Sequence, residues 1–115
     1  MGNTLGIICT INELGNRLES KFRETTSFLG ITLANPADAN FVWDHTHYLV
    51  HLSEVKSKQM RQLYVKNPGA KVIAFSGKLR NRNFYAARYP NVTVYDTAVG
   101  AWEACEAEAP KNNSY

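Results

Sequence analysis

The chain has 115 residues, of which 44% are apolar and 20% are charged, and this is the size and composition of one globular domain. No apolar run approaches the roughly 20 residues that cross a bilayer. The first residues also lack the basic segment followed by a long apolar segment that is typical of a secretory signal. We therefore expect a cytoplasmic protein without a membrane segment, in which Cys9 and Cys105 are reduced thiols. The net charge of +3 is unevenly distributed: nine basic residues and no acidic one lie within 56–88, whereas 96–108 holds four acidic residues and no basic one.

The first elements follow from short apolar runs and their boundaries. The run at residues 4–10 is β-branched, which predicts a buried strand. A helix follows, with Asn12 as its N-cap, Gly30 as its stop and apolar residues at every fourth position. These apolar residues are Leu14, Leu18 and Phe22. The stretch "ITLA" predicts a second strand, and residues 35–43 predict a short helix that opens with Asn-Pro.

The second half of the chain continues the alternation. "HYLVHLS" predicts the third strand, after which Ser53 caps a helix that "KNPGA" ends. The apolar stripe of this helix is Val55, Met60, Leu63 and Tyr64. "KVIAFS" and "VTVYD" predict the last two strands, with a weak helix at 81–88 between them. The final helix, at 98–109, has one apolar face, formed by Val99, Trp102 and Cys105.

Five strands that alternate with helical segments predict a parallel sheet, because parallel strands need crossover connections. Right-handed crossovers favour a three-layer α/β/α sandwich with a five-stranded parallel sheet in the flavodoxin-like order 2-1-3-4-5. We expect one domain at 1–109 and a flexible tail at 110–115.

The order and spacing of these segments resemble a response-regulator receiver domain over nearly the whole chain. "LGIICTINELGNRLESKF" is similar to the family's first strand, acidic pair and first helix, and "FLGITLANPADA" to its second strand and following turn. "HYLVHLSEV" resembles the third strand, "KVIAFSG" the fourth, and "VTVYDTAVGAWEACEA" the fifth strand and last helix.

In receiver domains an aspartate after the third strand accepts a phosphoryl group, and this aspartate and an acidic pair after the first strand hold a divalent cation. The resemblance puts Cys9 and Thr10 at the acidic pair, Ser53 at the aspartate, Ser76 at the switch hydroxyl and Thr97 at a lysine position. Only Ser76 matches the family. A hydroxyl supplies no charge to the cation and is a poor nucleophile without a base. The resemblance therefore implies a pseudo-receiver with no phosphorylation site, metal, cofactor or enzymatic activity.

Cysteine and histidine residues offer a further, chemical hypothesis. Cys9 precedes a predicted helix N-terminus, which stabilises thiolates and is typical of some phosphocarrier domains, but the loop after it is short and poor in glycine. We interpret Cys9 as a buried apolar residue. His45, His47 and His51 suggest a metal, and the last two share a strand face, but no cysteine is near them in sequence. Helix-to-sheet packing or surface exposure is therefore the favoured interpretation of these histidines.

The segment "GKLRNRNFYAARYP" interleaves basic and aromatic residues. In receiver domains the surface of the fourth helix, fifth strand and last helix binds partners, so the resemblance implies a regulatory protein-protein interaction module. The implied partner-binding residues are Lys78, Arg80, Arg82, Tyr85, Arg88, Tyr95 and Trp102. We expect a protein partner with an acidic surface, bound by a monomer or homodimer. The alternatives are a nucleic-acid or nucleotide binder that uses segment 78–89 or the carboxyl ends of the strands, and a solvated helix whose aromatic side chains face the sheet.

Overall fold

The computed structural model describes residues 2–9, 13–36 and 44–111, and of Glu13 only the backbone. Within these ranges it contains five strands and four helices. The strands are β1 (Thr4–Ile8), β2 (Gly30–Ala34), β3 (His47–His51), β4 (Lys71–Phe75) and β5 (Val92–Tyr95). The helices are α1 (Glu13–Thr25), α2 (Ser57–Lys66), α3 (Leu79–Arg88) and α4 (Ala98–Glu108). The predicted cap Asn12 and, beyond Pro36, the predicted helix at 35–43 lie outside the described residues.

The five strands form one sheet in the order β2-β1-β3-β4-β5, and every neighbouring pair is parallel. This confirms the predicted flavodoxin-like order. In the centre of the sheet, β1 lies between β2 and β3, so that Ile8 is in register with Ala34 on one side and Val50 on the other.

A pair of helices covers each face of the sheet. The central strands carry apolar side chains on both faces, and these side chains must be buried. One core holds Leu49 and Ile73 of the sheet against Phe22 of α1 and Cys105 of α4. The other core lies beneath α2 and α3. It contains Tyr48, Val50 and Val72 of the sheet, Met60 and Leu63 of α2, and Tyr85 of α3. The three-layer sandwich is therefore as predicted.

The turn after β3 differs from the prediction that Ser53 caps the following helix. Helix α2 begins at Ser57, and Lys56 is its N-cap residue. The intervening chain forms a turn in which the Glu54 N–H donates to the His51 carbonyl at 3.1 Å. Leu52 and Val55, on either side of Ser53, are both buried, so this segment places two side chains in the core before the helix begins. Ser53 is consequently an exposed turn residue and not a cap.

Helix α1 ends earlier than the predicted stop at Gly30. It ends at Thr25, where both the N–H and the hydroxyl of Thr26 donate to the Phe22 carbonyl. The chain then crosses to the sheet, where Gly30 opens β2. In α4, Val99 is 53% exposed, so the predicted apolar face was wrong at that position; Cys105 is buried as predicted, and Ala101 is buried as well.

The C-terminal end of the described chain contacts the end of α1. Pro110 forms an antiparallel bridge with Thr26, and the Lys111 ammonium donates to the Glu24 carbonyl at 3.1 Å. The rest of the predicted tail, 112–115, lies outside the described residues. Among the helices that the structure describes, none is long and apolar enough to cross a membrane.

Candidate functional site

The carboxyl ends of the parallel strands bring several of the predicted site residues to one edge of the sheet, the usual ligand edge of such folds. Cys9 follows β1, Ser76 follows β4, and Ser53 lies two residues beyond the end of β3. Thr97 follows β5 and caps α4, because its hydroxyl accepts from the Gly100 N–H at 3.0 Å. Thr10 lies outside the described residues.

Ser76 is the centre of a hydrogen-bond network at this edge and is fully buried. Its hydroxyl oxygen accepts from the Lys78 N–H at 3.1 Å and from the Asn81 side-chain amide at 3.3 Å. A serine oxygen accepts two hydrogen bonds and donates one. Ser76 therefore donates its proton to Ser53, whose hydroxyl oxygen is 3.0 Å away.

This arrangement ties the turn after β3 to the start of α3 but does not activate Ser53. Nucleophilic serines need an adjacent base. Among the described residues, the hydrogen-bond partner of the Ser53 hydroxyl is the Ser76 hydroxyl, which is not a base. We therefore assign the pair a positioning role for the turn and α3.

A second group of side chains lies beside this pair, between β1 and β3. Cys9, His51 and Glu54 each offer one metal-binding atom, and the three atoms all lie within 4.8 Å of one another. The His51 ring is stacked on Phe75, with 4.6 Å between centroids, and its Nδ1 is 2.7 Å from a Glu54 carboxylate oxygen. Cys9 is 1% exposed.

Sequence reasoning treated Cys9 and the histidines separately and missed this trio. Although no cysteine is near the histidines in sequence, the fold brings one to His51: Ile8 is opposite Val50, and the next residues along both strands, Cys9 and His51, become neighbours. The one available signal was the parallel pairing of β1 with β3, but its register is not visible in a single sequence.

His47 belongs to the other end of the sheet. It lies on the same face of β3 as His51, as predicted, but the two are four positions apart, or roughly 13 Å along a strand. Its Nε2 is 3.2 Å from the Glu108 carboxylate, and its ring packs edge-on against Phe28 with 5.4 Å between centroids. Lys71 also donates to Glu108, at 2.7 Å. This hydrogen bond is the main cause of the lowered pKa of Glu108. Partial desolvation opposes it by raising the pKa, and the hydrogen bond with His47 lowers the pKa further.

Basic residues are concentrated in and beside the helices α2 and α3. We define the basic face as the basic residues of 56–88 other than Lys71. These are Lys56, Lys58, Arg61, Lys66, Lys78, Arg80, Arg82 and Arg88. Within the described ranges, none of them forms an ion pair, whereas Lys71 pairs with Glu108 on the other side of the sheet. The basic face thus carries uncompensated charge.

The predicted partner-binding residues are divided by the fold. Lys78, Arg80 and Arg88 are exposed on the basic face. Arg82 is half-buried, and its guanidinium donates to the Ser76 carbonyl at 2.8 Å, so it also holds α3 in place.

The aromatic members of the predicted set lie elsewhere. Tyr85 is only 5% exposed and belongs to the core beneath α2 and α3. Tyr95 is half-buried on the edge strand β5. Trp102 lies in the opposite helix layer, where the Lys21 ammonium is 3.7 Å from its ring centroid. The fold therefore separates Trp102 from the basic face.

Apolar side chains are exposed among the charges of the basic face. Val65 of α2 is 72% exposed, Leu79 of α3 is 61% exposed and Phe84 is 38% exposed. Two shallow clefts run beside them. One, of about 240 Å³, is lined by Lys58, Arg61, Gln62, Val65 and Lys66, and the other, of about 190 Å³, by Ser57, Arg80, Asn81, Phe84 and Tyr85.

No match to this chain was found among protein-family models, curated proteins or solved structures. The resemblance to receiver domains therefore stays a prediction, which depends on the order of the strands and on the residues at their ends.

Proposed function

We propose that the protein is a non-enzymatic, receiver-like module of the cytoplasm that binds a protein partner through its basic face, and that the partner presents an acidic surface. The observation that carries this proposal is the combination of unpaired cations with exposed Val65, Leu79 and Phe84 on the same two helices. Interfaces combine apolar anchors with arginine in this way.

The charge of the basic face supports an acidic partner. Side chains of one sign that lack internal counter-ions create a local potential, which steers a complementary surface into an encounter and disfavours partners of like charge. Among the described residues, no ion pair joins an acidic side chain to the basic face; Glu19, for example, is paired with Arg23 on α1, and Glu108 is shared by Lys71 and His47.

The exposed apolar residues favour a protein over a nucleic acid. Single-stranded nucleic acids bind to aromatic rings on which bases stack. On α2 and α3 those rings are largely used internally: Tyr64 stacks on Tyr89 at 4.4 Å, and Tyr85 is buried. Phe84 is exposed, but the Arg88 guanidinium lies 4.4 Å from its centroid. Val65 and Leu79, by contrast, suit the apolar centre of a protein interface.

The absence of enzymatic activity is proposed from the strand-end residues. The residue at the phosphoryl-accepting position, Ser53, shares a hydrogen bond with Ser76 in place of a base. The acidic pair that the resemblance implies is replaced at its first position by the buried thiol of Cys9. Phosphorylation of this edge by acetyl phosphate and Mg²⁺ is therefore not expected.

A capture experiment with matched variants tests the proposal. The intact protein is used to pull partners from cell extract, with and without nuclease, and Arg80→Glu is compared with Lys111→Glu. Both positions are exposed and both changes alter the net charge equally, but only Arg80 lies on the basic face. A protein partner identified by mass spectrometry should survive nuclease, and Arg80→Glu should weaken its affinity about tenfold or more while Lys111→Glu leaves it unchanged.

Two results would contradict the proposal. Recovery that disappears with nuclease, with an affinity that falls steeply as salt is raised, would assign the basic face to nucleic acid. Equal loss of the partner in both variants would show that net charge, and not this face, controls binding. Arg80 is preferred to Arg82 for the test because Arg82 also holds the Ser76 carbonyl, so its replacement would disturb α3.

A further inference from the structure

We infer that Cys9, His51 and Glu54 form a binding site for a zinc-class divalent cation at the carboxyl edge of the sheet. The site is distinct from the basic face, since Cys9 and the ring that supports His51 belong to the core beneath α1 and α4. The juxtaposition of a thiol, an imidazole and a carboxylate within 4.8 Å carries this inference.

The donor set selects the class of metal. Thiolate, imidazole and carboxylate are the three side-chain ligands of Zn²⁺, which is of borderline softness. A thiolate and a carboxylate together balance the charge of a divalent ion. Mg²⁺ requires oxygen ligands in an octahedral arrangement and has no use for sulfur or imidazole nitrogen here. The site therefore differs in kind from the magnesium site that the receiver resemblance implies.

The distances are close to those of a tetrahedral site but need a small adjustment. Zinc bonds of about 2.0–2.3 Å place neighbouring ligand atoms roughly 3.3–3.6 Å apart. His51 Nδ1 and the Glu54 oxygen are 2.7 Å apart, as hydrogen-bonded partners, so they must separate by less than an ångström if both are to bind the ion. The longest separation in the trio, at most 4.8 Å, must shorten by about one ångström.

The fold holds Cys9 and His51 in place and leaves the Glu54 side chain able to adjust. Cys9 directly follows β1, its N–H donates to the Ala34 carbonyl at 3.2 Å, and its side chain is buried. Stacking on Phe75 fixes the plane of the His51 ring. Glu54 lies in the turn before α2, where its long side chain can rotate towards an ion. Two fixed ligands and one adjustable ligand are thus arranged around one point.

Burial distinguishes this site from a cysteine nucleophile. A Cys-His-Glu group resembles the arrangement of a catalytic thiol, base and orienting acid. Cys9, however, is 1% exposed, which closes the thiol to a substrate, whereas the His51 and Glu54 side chains are each 24% exposed. Binding at this site requires the ion to enter past these two partly exposed side chains. The three described ligands leave a fourth tetrahedral position to water or to another group of the chain.

Metal titration of the intact protein tests the inference. Protein freed of metal by a chelator is titrated with Zn²⁺ in competition with a chromophoric chelator, and with Co²⁺ as a spectroscopic substitute. We expect one ion per chain, a sulfur-to-cobalt charge-transfer band, and no binding of Mg²⁺ at the same concentrations. Binding should also raise the thermal unfolding midpoint, by roughly 10 °C at a hundredfold excess over Kd.

Matched variants assign the ligands. Cys9→Ser should abolish the charge-transfer band and weaken Zn²⁺ binding at least about 100-fold, and His51→Gln and Glu54→Gln should each weaken it about 10-fold or more. The controls are Cys105→Ser and His47→Gln. They change the same residue types beside Glu108, whose carboxylate Lys71 already neutralises. Both controls should bind Zn²⁺ like the unaltered chain.

Three outcomes would overturn the inference. The first is a cobalt spectrum without a thiolate band in the unaltered protein. The second is a band that persists in Cys9→Ser or vanishes equally in Cys105→Ser. The third is Zn²⁺ affinity that none of the substitutions at Cys9, His51 and Glu54 changes. Because His51 and Glu54 are partly exposed, their variants are expected to fold and give an answer even if replacement of buried Cys9 destabilises the chain.

Discussion

Replacement of Gly6 by alanine tests whether β1 and β3 pack as described. Gly6 lies in the middle of β1, opposite Tyr48 of β3. A Cβ atom at this position would lie 2.8 Å from two ring carbons of Tyr48 and 2.9 Å from a ring carbon of His45. Tyr48 cannot easily move away, because it is fully buried and its hydroxyl accepts from the His45 N–H at 3.1 Å.

The expected cost follows from two opposing effects. Overpacking of a filled core costs about 1–3 kcal/mol, and the loss of glycine flexibility in the unfolded chain returns about 0.4–1 kcal/mol. The net destabilisation should be about 1–2 kcal/mol. With an unfolding entropy of about 2.1 cal/mol/K per residue, or roughly 0.24 kcal/mol/K for 115 residues, the midpoint should fall by about 4–8 °C.

Thermal and urea unfolding, followed by circular dichroism, measure this change. Gly30→Ala is the matched control, because Gly30 is also in a strand but a Cβ there would meet only Thr4, at 3.7 Å. That variant should be as stable as the unaltered chain or slightly more so. In a Tyr48→Leu background the cost of Gly6→Ala should shrink by about 1 kcal/mol, since the clashing ring is gone. An unchanged or raised midpoint for Gly6→Ala alone would refute this packing.

The remaining predictions concern single side chains. Thr97→Ala should cost about 1 kcal/mol of unfolding free energy because it removes the cap of α4; an unchanged free energy in urea unfolding would disprove the capping assignment. Because the pKa of Glu108 is lowered from 4.5 in the folded state, its carboxylate stabilises the fold above that pH and this stability is lost as the pH falls through the lower folded value. Glu108→Gln should therefore be less stable at neutral pH, by under about 1 kcal/mol, and match the unaltered chain in acid; a pH-independent difference would contradict the ion pair. Burial raises the pKa of Cys105 to about 12, so this thiol should resist alkylation at pH 8 until the chain is unfolded in denaturant, and rapid labelling of the native protein would rule this out.

The sheet was predictable from the sequence because its strands are apolar on both faces. A strand such as β3, whose first four residues are all buried, needs helices on either side, and alternation with helices then leaves few topologies. Boundaries were less predictable. Serine is a preferred helix cap, which is why Ser53 was predicted as one. Leu52 and Val55 are buried in the core, however, and the helix starts four positions after Ser53, at Ser57.

The candidate sites were harder to predict because they depend on side-chain direction. On α3 the basic and aromatic residues alternate, and the sequence does not reveal that Tyr85 points to the core while Arg80 points to solvent. The neighbours Cys9 and His51 depend on the register of two strands that are far apart in the chain. A one-residue slip would have placed His51 on the opposite face, away from the thiol.

The two proposed sites lie in different layers and can be tested independently. The cation site depends on Cys9 and His51, which face the core beneath α1 and α4, while Arg80 lies on α3 across the sheet. One described connection between them is the hydrogen bond between Ser53, in the turn that holds Glu54, and Ser76, before α3. Arg80→Glu should therefore leave Zn²⁺ affinity unchanged, and His51→Gln should leave partner binding unchanged in the absence of metal. If either variant lost both activities while its unfolding midpoint stayed normal, the two sites would be coupled, and Ser76→Ala would test whether the Ser53–Ser76 contact carries that coupling.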